Sequence, residues 1–184
     1  MEALQALQTR SSQPRLTDPA PSAEVLENIY RSALRAADHG LLRPWRFLII
    51  RGDSRDRLGD LFVAAAESSG DKLNEPQKDK MRQKPLRAPL ILVTISSPCE
   101  HPKIPQFEQD LSAAAATQNM LIAAHAQGVG AMWRTGAMAY HPTVKRGLGL
   151  AQHEKIVSFL YLGTAQENGR SPQETDPNDY FTEW

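Results

Sequence analysis

Apolar residues recur three and four positions apart in several stretches of the chain, the spacing that places side chains on one face of a helix. The pattern predicts a short helix over residues 1–9 with Leu4 and Leu7 facing inward. It predicts another helix over residues 55–67 and a last one that starts at residues 141–143, where proline stands in the first turn.

The helix predicted over residues 24–39 has two different faces. An apolar arc runs along one side, and Arg31, Arg35 and His39 recur every fourth residue on the other. Such a cationic stripe is either a solvated surface or part of an anion or cofactor site on a second subunit. Gly40 is expected to end the helix before the next strand.

Runs rich in β-branched and aromatic residues predict the strands of a central sheet. Buried strands are expected from Trp45 onward, over the LILVTIS run at 90–96 and over residues 155–163. A shorter strand is predicted over residues 129–133. The glycines around it follow a helix instead of a strand, and a third glycine is missing, so the sequence lacks a dinucleotide-binding fingerprint.

An alanine-rich stretch between Asp110 and Gly128 predicts a helix that is apolar on nearly every side. Asp110 is the expected N-cap, and Gly128 is the expected stop. Small side chains let helices approach closely, so we expect this helix to be buried within a core or against its copy in a dimer. His125 is interpreted as a buried structural histidine in preference to a catalyst.

Charge and cysteine content narrow the class of protein. The 184 residues include 21 Lys and Arg against 21 Asp and Glu, a balance that argues against nucleic-acid binding. No stretch approaches the roughly 20 apolar residues that span a bilayer, and the N-terminus lacks the apolar core of a signal peptide. The single Cys99 offers neither a disulfide framework nor a metal-ligand spacing. We therefore expect one cytoplasmic domain over residues 1–184, without metal, membrane or nucleic-acid partners.

Two polar segments are candidates for binding an anion. Arg10, Ser11 and Ser12, with Arg15 close behind, surround hydroxyl groups with guanidinium groups, a combination that suits phosphate; the alternative is an ordinary surface loop. Residues 68–87 are strongly cationic and are either a solvated, mobile surface element or a lid over an anionic ligand. The sequence lacks a nucleophile elbow, a P-loop and a metalloprotease motif, and an enzyme without its own nucleophile or metal can take its reactivity from an organic cofactor.

Blocks spread over nearly the whole chain resemble the nitroreductase family in their order and spacing, and most closely its compact branch. The blocks are TRSS at 9–12, RAADH at 35–39, RPWRF at 43–47, RAPL at 87–90, AQGVG at 126–130, WRTG at 133–136 and FLYLGT at 159–164. The resemblance implies an α+β fold in which helices flank a mixed central sheet. It further implies an interlocked homodimer with FMN at the subunit interface, reduced by NADH or NADPH.

Carried over position by position, the resemblance assigns residues to each ligand. It places FMN against one subunit through Arg10, Ser11, Ser12, Trp133, Arg134 and Thr135, and against the other subunit through Arg35 and His39. It associates the nicotinamide with Ala123, Ala124, His125, Ala126, Gln127 and Gly128.

The implied activity is transfer of a hydride from nicotinamide through the flavin to an electron-poor small molecule such as a nitroaromatic or a quinone. No side chain is assigned a catalytic role, since the flavin carries the chemistry. Two residues depart from the family: Ser11 stands where many relatives have Arg, and Arg43 stands where they have an amide. Two alternatives are an FMN-binding storage or sensor protein with little turnover and a cofactor-free dimeric interaction module.

Overall fold

The computed structural model describes residues 1–166 and 172–184, so the part of the acidic tail at 167–171 lies outside the described residues. The helices are α1 (Ala3–Thr9), α2 (Ala23–Ala33), α3 (Asp53–Ser68), α4 (Glu75–Arg82), α5 (Gln106–Ala126), α6 (Ala137–Tyr140) and α7 (Pro142–Gly147). The strands are β1 (Leu16–Thr17), β2 (Trp45–Arg51), β3 (Leu90–Ser96), β4 (Gly130–Arg134) and β5 (Lys155–Ala165). Short 3₁₀ turns cover His39–Leu41, Pro85–Arg87 and Pro177–Asp179.

A five-stranded antiparallel sheet forms the centre of the fold. β5 pairs with β3 along one edge and with β4 and β1 along the other, while β2 pairs with β3 and is an outer strand. α2 and α5 pack on one face of the sheet, and α3, α6 and α7 pack on the opposite face. The predicted α+β fold, with helices on both sides of a central sheet, is confirmed. The expectation of a mixed sheet is wrong, because every strand pair among the described residues is antiparallel.

Position in the sheet explains how deeply each predicted strand is buried. All of β3 is buried, as its apolar run predicts, because β2 and β5 flank it and helices cover both faces. The expectation that the strand starting at Trp45 is buried is wrong for most of its length. As an outer strand, β2 buries only Ile50.

The predicted helix over residues 24–39 is wrong in its second half, because α2 ends at Ala33. Tight turns follow, in which Arg35 N donates to Ser32 O, and the chain then enters the 3₁₀ turn at His39–Leu41. The Asp38 side chain accepts a hydrogen bond from Arg43 N at 2.6 Å, a local bond that competes with helix continuation. Arg35 and His39 therefore lie on a loop and not on a helix face.

Two further expectations are corrected, one about the buried face of α1 and one about the residue at which α5 begins. In α1 it is Ala6 that is buried, whereas Leu4 and Leu7 are 69% and 56% exposed. α5 begins at Gln106, four residues before the predicted cap. Asp110 lies inside the helix, where its carboxylate accepts hydrogen bonds from Ser96 Oγ and Lys155 Nζ at 2.6 Å each.

Helix α5 is buried on one side only, which corrects the expectation of burial on nearly every side. Its inner face includes Ala113, Ala116 and Met120, each at most 1% exposed. Phe107 and Leu111 on the outer face are 69% and 51% exposed. The sequence left two locations open for this helix, a core or an interface with a second copy. Packing against a second copy would cover this outer face.

The cationic segment at 68–87 contains a helix that the sequence reasoning missed. Asn74 and Gln77 form a reciprocal capping box at the start of α4. Lys78 pairs with Glu67 at 2.8 Å, which joins α4 to α3. The eight residues of α4 are thus a helix packed on α3, and Lys84 and Arg87 at the end of the segment line a cavity.

In the described part of the chain, no helix is both long enough and apolar enough to cross a membrane.

An ion pair between a partly exposed arginine and a buried carboxylate ties β2 to the turn before β5. Two guanidinium nitrogens of Arg46 donate to the two carboxylate oxygens of Glu154, each at 2.6 Å, and Ala151 N donates to the same carboxylate at 2.8 Å. The Glu154 side chain is only 6% exposed. The hydrogen bonds from Arg46, helped by that from Ala151, lower the pKa of Glu154 to about 2, although burial opposes them.

Replacing Glu154 with Gln should destabilise the fold in a pH-dependent way. The folded pKa of about 2 lies below the ordinary value of 4.5, so the carboxylate's contribution is complete above pH 4.5 and is lost as the pH falls towards 2. We expect a loss of roughly 3 kcal/mol near pH 7 that shrinks across this window. Urea unfolding at a series of pH values measures it. Glu27→Gln, in an exposed pair with Arg31, is the control and should cost under about 0.5 kcal/mol. A pH-independent loss for Glu154→Gln would contradict the assignment.

Candidate functional site

The predicted phosphate-binding segment leaves the end of α1 and runs beside β4. Thr9 Oγ1 lies 3.0 Å from His125 Nε2, which fixes the end of α1 against the last turn of α5. Gln13 N donates to Ala131 O at 2.9 Å, and the Gln13 side chain donates to Ser11 Oγ at 3.2 Å. These bonds hold residues 10–13 between α5 and β4.

Arg10 contains a buried donor that nothing in the described chain accepts. Its Nη1 atom is buried and has no hydrogen-bond partner among the described residues. A buried charged donor without an acceptor is unfavourable, and such groups are nearly always paired in folded proteins. The position therefore favours an anionic ligand, and Ser11 and Ser12 are its immediate neighbours in the chain.

Arg134 connects this segment to a cavity on the other side of β4. Its Nη2 donates to Pro14 O at 3.5 Å, and its Cζ lies 5.6 Å from the centre of the Tyr161 ring. The cavity has a volume of about 370 Å³, and its lining includes cationic, aromatic and loop residues: Lys84, Arg87, Arg134, Phe62, Phe159, Tyr161, Thr135 and Gly136. Among the described residues that line it there is no carboxylate, so its charge suits a ligand with negative charge.

Tyr161 is a neutral hydrogen-bonding group in this cavity. Burial raises its pKa, and the positive charges of Arg134 and Arg87 oppose that effect. The phenol is therefore protonated at neutral pH.

Lys84 and Arg87 are candidate site residues that the sequence did not single out. They belong to the cationic segment at 68–87, and Arg87 also begins the RAPL block.

Trp133 and Thr135 have different roles at the end of β4. The Trp133 indole Nε1 donates to Val157 O at 3.3 Å, so this side chain braces the sheet. Thr135 is exposed and lines the cavity. The end of β4 thus brings Arg134 and Thr135 to the cavity, whereas Trp133 packs against the core on the α2 and α5 side of the sheet.

Arg35 and His39 form a separate group on the loop between α2 and β2. Arg35 is exposed, and in the described chain its side chain makes no hydrogen bond or ion pair. His39 Nδ1 lies 2.7 Å from Glu108 Oε2 in the first turn of α5. The loop backbone is left-handed at Gly40, Leu41 and Arg43, with φ values of 73°, 56° and 49°.

Helix α5 separates the two groups within one chain. His39 contacts its first turn through Glu108, whereas Thr9, beside Arg10, contacts its last turn through His125. At a rise of 1.5 Å per residue, the helix from Glu108 to His125 extends about 25 Å. One subunit therefore presents the predicted FMN residues as two separate sets.

The stretch predicted to meet the nicotinamide, residues 123–128, is the C-terminal end of α5. Ala124 is fully buried, so it has no surface to offer a ligand. The Gln127 side chain donates to Ala123 O and accepts from Asn28 Nδ2, each at 2.9 Å. His125 is half-buried and bonded to Thr9, not enclosed as expected. The nicotinamide assignment stays a prediction.

Comparison with known proteins identifies the family. The model of the nitroreductase family matches residues 6–164, so the chain belongs to the nitroreductase family, as its sequence blocks predict. An Escherichia coli K12 protein named "Putative NAD(P)H nitroreductase YdjA" is 40% identical over 183 residues, which cover 99% of each chain. A Haemophilus influenzae protein named "Putative NAD(P)H nitroreductase" is 33% identical, again over 99% of each chain.

Solved structures agree with this assignment. A nitroreductase-like protein from Bacillus cereus superposes with a TM-score of 0.84 at 22% identity, covering 100% of this chain and 96% of its own. A structure from Desulfovibrio desulfuricans that contains FMN superposes with a TM-score of 0.74 at 26% identity, covering 100% and 97% of the two chains. The superposition on the Bacillus cereus protein shows that the two chains share one fold.

Gly40 and Gly128 form a matched pair for testing how the His39 loop is held. Each has a φ of 73°, but a Cβ on Gly40 would lie 2.5 Å from Ile104 Cδ1, whereas a Cβ on Gly128 would meet nothing within 4 Å. Alanine at either position should cost about 1 kcal/mol for the left-handed backbone. Gly40→Ala should cost roughly 1 kcal/mol more, because Ile104 is buried and has to move. Urea unfolding compares the two variants, and equal losses would contradict this packing.

Proposed function

We propose that this protein is an FMN-dependent NAD(P)H oxidoreductase that reduces an electron-poor small molecule such as a nitroaromatic or a quinone. The observation that supports it most directly is the buried, unpartnered Nη1 of Arg10 in a member of the nitroreductase family. A buried guanidinium nitrogen without an acceptor is a group that the FMN phosphate could pair with. The FMN-containing relative and the NAD(P)H nitroreductase names of the curated relatives point to the same chemistry.

The residues of the first set fit one side of the cofactor. Arg10, with the hydroxyls of Ser11 and Ser12, would hold the phosphate, and Ser12 is exposed and open to it. Arg134 and Thr135 would hold the flavin beside the cationic cavity, where Lys84 and Arg87 add positive charge. When bound, FMN supplies a carrier that accepts a hydride from NADH or NADPH and passes it to the acceptor.

The second set, Arg35 and His39, is proposed to serve the site of the partner subunit. The outer face of α5 carries Phe107 and Leu111, and Gln118 and Ile122 continue it at helical spacing. In a two-fold dimer built on this face, antiparallel α5 helices would place the start of one helix beside the end of the other. Each site would then combine both sets of residues.

The two positions at which the chain departs from the family, Ser11 and Arg43, have different consequences in this proposal. Ser11 brings no charge, but Arg134 and the cavity cations Lys84 and Arg87 remain. Arg43 has an exposed side chain, and its backbone N–H is bonded to Asp38. We therefore expect Arg43 to influence access of the acceptor more than retention of FMN.

The unpaired Cys99 agrees with the cytoplasm as the location of the enzyme.

The visible spectrum of the purified full-length protein, recorded before and after addition of FMN, tests the proposal. We expect a retained flavin band that bleaches anaerobically on addition of NADH or NADPH and returns with a quinone or nitroaromatic. A flavin band that bleaches but turns over slowly with every acceptor would favour the storage or sensor alternative. A dimer that takes up no FMN would favour the interaction module and overturn the proposal.

Mixed dimers test whether Arg10 and Arg35 serve one site from two chains. Homodimers of Arg10→Ala and of Arg35→Ala should each bind FMN at least about tenfold more weakly, because each loses a charged hydrogen bond. A heterodimer of the two variants should regain one site with unchanged affinity, because that site receives Arg10 from one chain and Arg35 from the other. Fluorescence titration of FMN against heterodimers isolated with two different affinity tags measures this.

The outcome that contradicts the cross-subunit arrangement is a heterodimer with two weakened sites. Arg35 is exposed, so its variant should unfold within about 0.5 kcal/mol of the unmodified protein, which separates a binding effect from a folding effect. Leu111→Asp is the matched control for assembly. It places a charge on the outer face of α5 and should give a monomer by size-exclusion chromatography.

A further inference from the structure

Glu108 contacts a proposed FMN residue but belongs to none of the sequence blocks that indicate the family. It lies in the first turn of α5, and its Oε2 is 2.7 Å from Nδ1 of His39, 69 positions earlier in the chain. An ionised carboxylate can only accept hydrogen bonds, so Nδ1 of His39 has to carry the proton. In the neutral imidazole, Nε2 is then the unprotonated nitrogen.

The second ring nitrogen of His39, Nε2, is unused within the described part of its own subunit. In the described chain, Nε2 of His39 makes no hydrogen bond, and the side chain is 62% exposed. Glu108 is therefore the group that decides which ring nitrogen remains available. Histidines that bind metals are oriented in the same way, by a carboxylate on the second ring nitrogen.

The backbone beneath His39 is fixed independently of Glu108. Asp38 accepts from Arg43 N across the loop, and Gly40 lies against the buried Ile104. The Ile104 backbone is held in turn by Gln109, whose Nε2 donates to Ile104 O at 3.4 Å and to Cys99 O at 2.8 Å. With the backbone fixed, the orientation and tautomer of the imidazole are what Glu108 can determine.

We propose that Glu108 is a positioning residue for FMN: it holds His39 in the Nδ1–H tautomer and presents Nε2 to the FMN of the partner subunit. This role rests on the proposed function and on the cross-subunit position of His39. Glu108 itself touches His39 and not the cofactor. Its removal should therefore weaken FMN binding only through His39.

A double-mutant cycle tests this dependence. Glu108→Ala should raise the Kd for FMN roughly three- to tenfold, the range given by the net contribution of one hydrogen bond. In a His39→Ala background the same change should have no further effect on the Kd. Glu100→Ala, which removes an exposed carboxylate from the neighbouring loop, should leave the Kd unchanged.

The tautomer is measured without the cofactor, by ¹⁵N-detected histidine NMR of the full-length apoprotein, with His39 assigned from the His39→Ala spectrum. The unmodified protein should show protonated Nδ1 and bare Nε2, and Glu108→Ala should shift His39 towards the Nε2–H form. An equal rise in Kd for Glu108→Ala in both backgrounds, or an unchanged tautomer, would overturn the positioning role. Absence of FMN binding by the unmodified protein would overturn the proposed function itself, and an unchanged Kd in His39→Ala would overturn its cross-subunit part.

Discussion

The two faces of helix α5 set the constraint on which the rest of the structure depends. Its inner face packs Ala113, Ala116 and Met120 against the sheet, so the helix cannot rotate without opening the core. That orientation leaves Phe107 and Leu111 on the outside. In the proposed dimer this outer face would be covered, and burying such side chains would contribute about 1.5–3 kcal/mol each.

The same helix explains why the site residues fall into two sets. Its ends contact the Arg10 segment and the His39 loop, and its length keeps these contacts apart. The arginines of the chain differ in what they pair with. Arg46 is consumed by a buried carboxylate, and Arg82 is paired with Asp60 and Asp79, whereas the buried Nη1 of Arg10 has no acceptor in the described chain. Charge alone does not distinguish these arginines; the pairing of each one does.

Local patterns in the sequence predicted the parts of the fold that local forces decide. The LILVTIS run gives β3, and the glycine at 128 ends α5, because a buried run and a left-handed backbone each have a short-range signature. The end of α2 and the exposure of Leu4 have no such signature in the apolar spacing. α2 ends at Ala33, ahead of the turns in which Asp38 accepts from Arg43 N, and in α1 it is Ala6 that packs inward while Leu4 stays exposed. The site was predicted through family resemblance, whereas Lys84 and Glu108 needed the tertiary structure.

Separation of the two residue sets along α5 has a consequence for how the cofactor is held in dilute solution. If each flavin site is completed only when two chains meet, capture of FMN is coupled by mass action to association of the chains. Flavin affinity then depends on protein concentration, and FMN in turn strengthens the pairing of subunits. A newly synthesised chain would then have to associate with a second chain before it could bind FMN tightly.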